Sequence, residues 1–327
     1  MRWGRLWGGI GCILGLCMGA QAQAAGATAY PSKPVRIIVG FTPGGGTDVA
    51  ARILAQRLAD TVKQSFVVEN RPGASGAIGA EVVMKSAPDG YTLSVGTTTT
   101  HSVVPQLVPN TPYHPVRDFA SVMQIANSPL FLVVHPSTQI RTAADLIKIA
   151  KARPDQLNYG SGGVGTTPHM AGELFKLMSG IRMVMVPYKG EAPAIADLLG
   201  GQISLIFANL PVVLPHVVAG RLRGVGMTSA ERVPGLSQYP TVAETGLPGY
   251  QAGTWFGLFA PAATPRDVVL KLNADAVAAL TQADVRAKIA TQGMFVVANS
   301  PDQFTEFVKA EYEKWGKVIK DANLRPG

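Results

Sequence analysis

Val35-Arg36-Ile37-Ile38-Val39-Gly40-Phe41-Thr42-Pro43-Gly44-Gly45-Gly46-Thr47-Asp48 decides the architecture. The β-branched run at 35–39 has the composition of a buried strand. The glycines that follow permit a tight turn and close approach of the backbone. Asp48 stands where a helix cap is expected. The helix then runs over 50–58 and places Val49, Ile53, Leu54 and Leu58 on one face. A strand that passes through a glycine turn into an amphipathic helix is the opening of an α/β unit.

The same order continues outward. Residues 65–69 form a second strand, and the loop Asn70-Arg71-Pro72-Gly73-Ala74-Ser75-Gly76 leads into a helix through Val82, Val83 and Met84. Pro88-Asp89-Gly90 turns into a third strand over 91–95, completing one doubly wound unit. A second unit begins near Ser128-Pro129, with strands expected over 130–134, 157–159, 183–186, 203–207 and 222–227. Its helices fall at 142–152, 168–178 and 192–199. Residues 254–261 read as a return strand, followed by helices at 265–280, 284–292 and 301–322. The last helix carries an apolar face of Phe304, Phe307, Val308, Tyr312, Trp315, Val318 and Ile319. A chain that leaves one unit, builds a second and returns makes two lobes joined by a hinge. The expected division is a leader at 1–24, a first lobe at 25–127, a second at 128–252, and a return at 253–327.

The leader has the pattern of a cleaved export signal. Arg2 and Arg5 precede an apolar run over 6–20, and Ala20-Gln21-Ala22 and Ala22-Gln23-Ala24 each offer a small-residue cleavage site. The run is too short and too interrupted by glycine for a membrane span, which needs about 20 apolar residues. Both cysteines, Cys12 and Cys17, lie inside it, and neither has a lipoprotein context. The exported chain would therefore hold no thiol nucleophile, disulfide or Cys-type zinc site. The formal charge of +8 is spread out and compatible with anionic ligands. No basic block with interleaved aromatics points to nucleic acid.

Three loops follow strands and open helices: Pro43 to Asp48, Thr97-Thr98-Thr99-Thr100-His101-Ser102, and Gly160 to Thr167. Helix N-termini carry unpaired N–H groups and the positive end of the dipole, which suits anions. Ordinary turning and capping explains the same composition. Asp48 either caps its helix or orders the glycine loop and meets a solute. His101 and His169 either pack at helix starts or face a ligand. Gly160, Gly162 and Gly165 spell the dinucleotide fingerprint, but the next strand ends Val186-Pro187-Tyr188-Lys189 without the acidic residue that fingerprint needs. No Walker lysine follows either glycine run. Tyr159 occupies the position where a nucleophile elbow needs glycine. The five histidines are scattered, so neither a cofactor nor a metal is expected.

Taken together, these segments resemble the Bug family, the extracytoplasmic receptors of tripartite tricarboxylate transporters. The likeness runs from Tyr30-Pro31-Ser32-Lys33-Pro34-Val35-Arg36 through Phe41 to Asp48 and Val68-Glu69-Asn70-Arg71-Pro72-Gly73-Ala74-Ser75-Gly76. It continues through Ala87-Pro88-Asp89-Gly90-Tyr91-Thr92-Leu93, Asn158 to His169, Val186 to Gly190 and Trp255 to Pro261. The resemblance implies a two-lobed, type II periplasmic-binding-protein fold of the Venus-flytrap kind, with no catalysis and no cofactor. It implies that a small carboxylate is gripped by Phe41, Thr42, Pro43, Gly44, Gly45 and Asp48 from one lobe. Ser161, Gly162, Gly163, Gly165 and Thr166 would grip it from the other, partly through water. Thr97, Thr98, His101, His169, Tyr188 and Asn209 would line the remainder. Asn209 stands where the family often has aspartate, which weakens an amino-acid reading.

The expected function is a monomeric periplasmic receptor that closes on a carboxylate-bearing solute and delivers it to membrane permease subunits. Two alternatives are a ligand-sensing accessory of a membrane signalling system and an exported hydrolase using His101 or His169 as base. The loops contain no arginine, so backbone N–H groups, hydroxyls and water would carry recognition.

Overall fold

A computed structural model describes residues 30–188 and 190–325. The expected leader at 1–24 and Lys189 lie outside the described residues. The first half runs β1 (Val35–Val39), α1 (Gly46–Val62), β2 (Phe66–Asn70), α2 (Ala77–Met84), β3 (Thr92–Thr97), α3 (Val104–Leu107) and β4 (Phe119–Val134). The second unit adds α4 (Ala143–Ala152), β5 (Asn158–Ser161), α5 (Thr167–Ser179), β6 (Val184–Pro187), α6 (Glu191–Leu199), β7 (Leu205–Asn209), α7 (Leu210–Val218) and β8 (Arg223–Met227). The chain ends with β9 (Gly253–Pro261), α8 (Arg266–Leu280), α9 (Ala283–Ala290), β10 (Phe295–Val296) and α10 (Pro301–Asp321).

Both lobes share one hydrogen-bonded path, β2-β1-β3-β9-β4-β7-β5-β6. In the first lobe β1 pairs in parallel with β2 and β3, while β3 runs antiparallel to β9. In the second, β5 lies parallel to β6 and β7. The link between them is β4. Its first part, through Pro129, pairs with β9, and its remainder, from Leu130, pairs with β7 and β8.

The strand expected over 130–134 extends back to Phe119, across Ser128-Pro129, where the sequence places the start of the second unit. Proline removes a ladder donor and is tolerated where pairing ends. Pro129 sits at the last pair with β9, one residue before the first pair with β7, so the start of the second unit marks a change of partner within one strand. Residues 97–102 also differ from expectation. They open a π-helical turn at Thr99–Val103 and then only the four-residue α3.

Each lobe is covered on both faces. Val35, Ile37, Leu54 and Leu58 pack with Leu272 and Ala276 of α8, and Ile38, Phe259, Phe304 and Val308 form the opposite layer. In the second lobe Leu132, Phe175 and Phe207 form one layer and Phe131, Ile195 and Ile206 the other. The final helix departs from the expected return to the first lobe. Phe304 and Val308 pack there, but Trp315, Val318 and Ile319 join the core of the second lobe. At 1.5 Å rise per residue, a helix of this length reaches about 30 Å, enough to contact both bodies.

Candidate functional site

The site begins at α1. Gly45 occupies the N-cap position with extended backbone (φ −77°, ψ 166°), and no side chain caps the helix. The first backbone bond of the helix runs from Val49 N–H to Gly45 O at 3.0 Å. The N–H groups of Gly46, Thr47 and Asp48 precede that ladder, so the positive end of α1 is open. Gly44, Gly45 and Gly46 are exposed there.

Asp48 does not cap. Buried at the third position of the helix, its Oδ2 accepts from Gly44 N–H at 3.0 Å and Arg52 Nε at 2.9 Å. Its Oδ1 accepts from Asn70 Nδ2 at 2.9 Å, and that amide also donates to Phe41 O. Burial alone would raise its pKa. The hydrogen bonds from Arg52, Gly44 and Asn70 outweigh it and hold the carboxyl below its usual range. Asp48 therefore stays charged and ties down both ends of the glycine loop.

The adjoining surface comes from the C-terminal end of β3 and the start of β9. Thr98 Oγ1 donates to Gly253 O and accepts from Trp255 N–H, both at 3.1 Å, locking β3 to the returning strand. Across the lobes, Thr254 Oγ1 donates to Thr167 Oγ1 at 3.2 Å.

In the second lobe, the loop after β5 is occupied with itself. Ser161 Oγ donates to Gly163 O at 3.1 Å, and Thr166 Oγ1 donates to the same oxygen at 2.8 Å. Thr166 caps α5 by accepting from His169 N–H, while Gly165 N–H donates to His169 Nδ1 at 3.1 Å. Gly165 has φ +78°, and a Cβ there would stand 2.9 Å from Leu107 Cδ2. Gly162 packs on Gly190 and Glu191, where a Cβ would come within 3.2 Å of backbone.

These elements enclose a cavity of about 450 Å³ between the lobes. It lies beyond the C-terminal ends of β1, β3 and β7, where open α/β sheets bind ligands. Of the residues expected to line it, Phe41, Gly44, Gly45, Thr97 and Asn209 do so. Ser161, Gly162, Gly163, Gly165 and Thr166 are not among its lining residues, although Gly162, Gly163 and Thr166 are partly exposed. Thr42 and Pro43 are exposed beside it, and Tyr188 is directed to Asp197, its hydroxyl donating to Oδ2 at 2.7 Å.

The two histidines lie apart from this lining. His101 is fully enclosed in the first-lobe core, its ring stacked on Phe259 at 4.0 Å between centroids. Gly96 leaves it that space, since a Cβ there would be 2.4 Å from Nδ1. Burial pushes its pKa down to about 3, so it is neutral and does not face the cavity. His169 is buried as well, and burial lowers its pKa. As the acceptor for Gly165 N–H, it orders the loop.

Thr47, Thr99 and Thr167 line the cavity from within the three candidate loops, whereas Ser128, Glu191, Thr254 and Phe256 line it from outside them and were missed by sequence reasoning. For Thr254 and Phe256 a signal existed. They flank Trp255 on a strand and so must face away from it. Glu191, the first residue of α6, had no such signal. Its Oε1 accepts from Asn209 N–H at 3.0 Å and its Oε2 from Asn209 Nδ2 at 2.9 Å. Burial raises its pKa, and the two Asn209 bonds oppose the rise. Two further concavities lie away from the glycine loops. One of about 380 Å³ borders Phe307 and Glu311, and one of about 570 Å³ borders α4.

This arrangement of lobes and cavity is shared with known proteins. The chain matches the tripartite tricarboxylate transporter family receptor over residues 50–324. It is 36% identical over 316 residues to protein BugT of Bordetella pertussis, covering 96% of this chain and 97% of the relative. Among solved structures, Rpa4515 of R. palustris with adipate is 41% identical, with a TM-score of 0.78 over 91% of this chain and all of that one. MatC of Rhodopseudomonas palustris with bound malate is 32% identical, with a TM-score of 0.74 over 89% of this chain and 100% of that one. The chain therefore belongs to the tripartite tricarboxylate transporter receptor family, the Bug proteins, and is a two-lobed solute-binding receptor.

Proposed function

We propose that this receptor works in the periplasm, takes a small carboxylate-bearing solute into the interlobe cavity, and hands it to membrane permease subunits without chemically changing it. The observation that carries the reading is the uncapped N-terminus of α1, opening on a cavity with no lysine or arginine among its described lining residues. A carboxylate there accepts from the N–H groups of Gly46 and Thr47 and gains from the helix dipole. Hydroxyls of Thr97, Thr99, Ser128, Thr167 and Thr254 supply further donors and acceptors around it. Adipate and malate in the related structures fit this size and chemistry.

Recognition is divided unequally in this reading. Phe41, Gly44, Gly45, Thr97 and Asn209 touch the solute. Thr42, Pro43, Asp48, Thr98, Ser161 to Gly163, Gly165, Thr166, His169 and Tyr188 hold the walls in place. The hinge lies at 128–129 of β4, where that strand changes partner, and near 253, where β9 begins. A solute bridging the two walls binds the closed arrangement better and shifts the population toward it. Residues 1–24 serve as the export leader, and the receptor acts as a monomer. A histidine-based hydrolase is disfavoured because His101 and His169 are both buried away from the cavity.

Thermal-shift screening of the exported chain with mono-, di- and aromatic carboxylates, followed by calorimetry, tests the reading. A ligand at about 100 times its Kd should add about 2.7 kcal/mol of stability. If no carboxylate moves the melting temperature, the ligand class is wrong.

A further inference from the structure

Glu191 is the only ionisable side chain among the described residues that line the cavity. It stands on the second lobe, facing across the space from the glycine loop of the first. The two bonds from Asn209 use one acceptor position on each carboxylate oxygen. A carboxylate offers about four such positions, so acceptor capacity remains on both. The same contact orients Asn209. Its Nδ2 must turn to the carboxylate, which leaves the amide Oδ1 as the atom free for other partners. The side chains of the Glu191–Asn209 corner thus present acceptors, beside the uncapped N-termini of α6 and α7, whereas the α1 corner offers N–H donors with no acceptor side chain turned to it.

A solute spanning the cavity therefore meets opposite chemistries at its two ends. We infer that Glu191 is a specificity-determining residue, selecting a solute with a carboxylate at one end and a hydrogen-bond donor, such as an ammonium or carboxamide group, at the other. This rests on the carboxylate-receptor reading above and narrows it. A second carboxylate at the Glu191 corner would place like charges together in a partly desolvated space, which disfavours the charged pair. An ammonium or amide N–H there gains a charge-assisted hydrogen bond. Asparagine at 209 in place of aspartate does not remove the acidic partner from this corner, because Glu191 supplies one.

The experiment compares three ligands at each chain length: succinate, glutarate and adipate, their monoamides, and the ω-amino acids of equal length. Calorimetry on the exported chain should show the best amide or amino acid binding at least tenfold more tightly than its dicarboxylate. Glu191→Gln keeps the side-chain length and removes the charge. It should erase that preference or reverse it, with tighter dicarboxylate binding and an unchanged fold by circular dichroism. Glu191→Ala serves as a second variant and should lose the preference too. Should the wild type favour dicarboxylates and both variants keep the same ranking, the selectivity inference is overturned while the receptor reading stands. Should no member of any series bind, the carboxylate reading fails and takes this inference with it.

Discussion

The N-termini of α1 and α5 look alike in sequence and do opposite work. Each follows a strand through a glycine-rich loop that contains threonine. At α1 the N-cap is Gly45, no side chain caps the helix, and the first turn opens on the cavity. At α5 the N-cap is Thr166, whose hydroxyl takes up His169 N–H, and Ser161 and Thr166 both spend hydrogen bonds on Gly163 O. The donors of an N-terminus can serve a ligand only if the protein has not already used them. Capping varies elsewhere: α4 and α10 each carry a complete capping box, at Thr142–Asp145 and Ser300–Gln303, whereas α8 and α9, away from the cavity, have no side-chain cap. What sets α1 apart from the other helices without a side-chain cap, such as α8 and α9, is that its first turn lines the cavity.

The comparison can be broken most directly at Gly45. Its backbone already has the extended N-cap conformation, and a Cβ there meets nothing closer than Thr42 O at 3.8 Å. Gly45→Asp should supply the missing cap. We expect carboxylate affinity to fall by about ten- to a hundredfold, in line with the 1.5–3 kcal/mol of hydrogen bonds to charged groups. The melting temperature should hold or rise slightly, since an N-cap side chain is worth only a few tenths of a kcal/mol over glycine. Equal affinity in calorimetry would remove the α1 terminus from the site.

Asp48→Asn loosens the loop without touching the cavity. It should cost about 1–3 kcal/mol, the range for breaking a buried hydrogen-bonded group, measured by denaturant unfolding at neutral pH. Because the folded pKa of Asp48 lies below its unfolded value near 3.9, its contribution is present above that value. It is lost as pH falls through the folded pKa. The gap between wild type and variant should therefore narrow below about pH 4. A gap that is constant down to strongly acidic pH would show that ionised Asp48 is not what holds the loop.

The smallest effect is expected at Thr166→Ala, which removes the α5 cap. Stability should drop by about 1 kcal/mol, while carboxylate affinity changes less than at Gly45. A loss of affinity as large as that of Gly45→Asp would put the second loop on the ligand after all.

Much of the fold was legible because strand and helix periodicities are local. The apolar spacing around Ile53, Leu54 and Leu58 and the β-branched run at 35–39 need no distant partner to be read. The long strand β4 was not legible, because Ser128-Pro129 carries the local signature of a break. Only the exchange of β9 for β7 at that point makes the proline tolerable. The division of α10 between lobes was hidden in the same way: its apolar face was visible, but what covers each half was not.

For the site, the sequence by itself determined that glycine-rich turns stand at helix starts and that the chain has the segments of this receptor family. Backbone conformational freedom and helix polarity are properties of short stretches. Only the tertiary structure decided which turn remains open. Asp48 is drawn away from capping by Arg52 and Asn70, one of them 22 residues distant in sequence. His101 is drawn into the core by the space above Gly96, and Glu191 is brought to Asn209 across 18 residues. Hydrogen-bond satisfaction is a contest among all groups within reach, and the fold sets which groups those are.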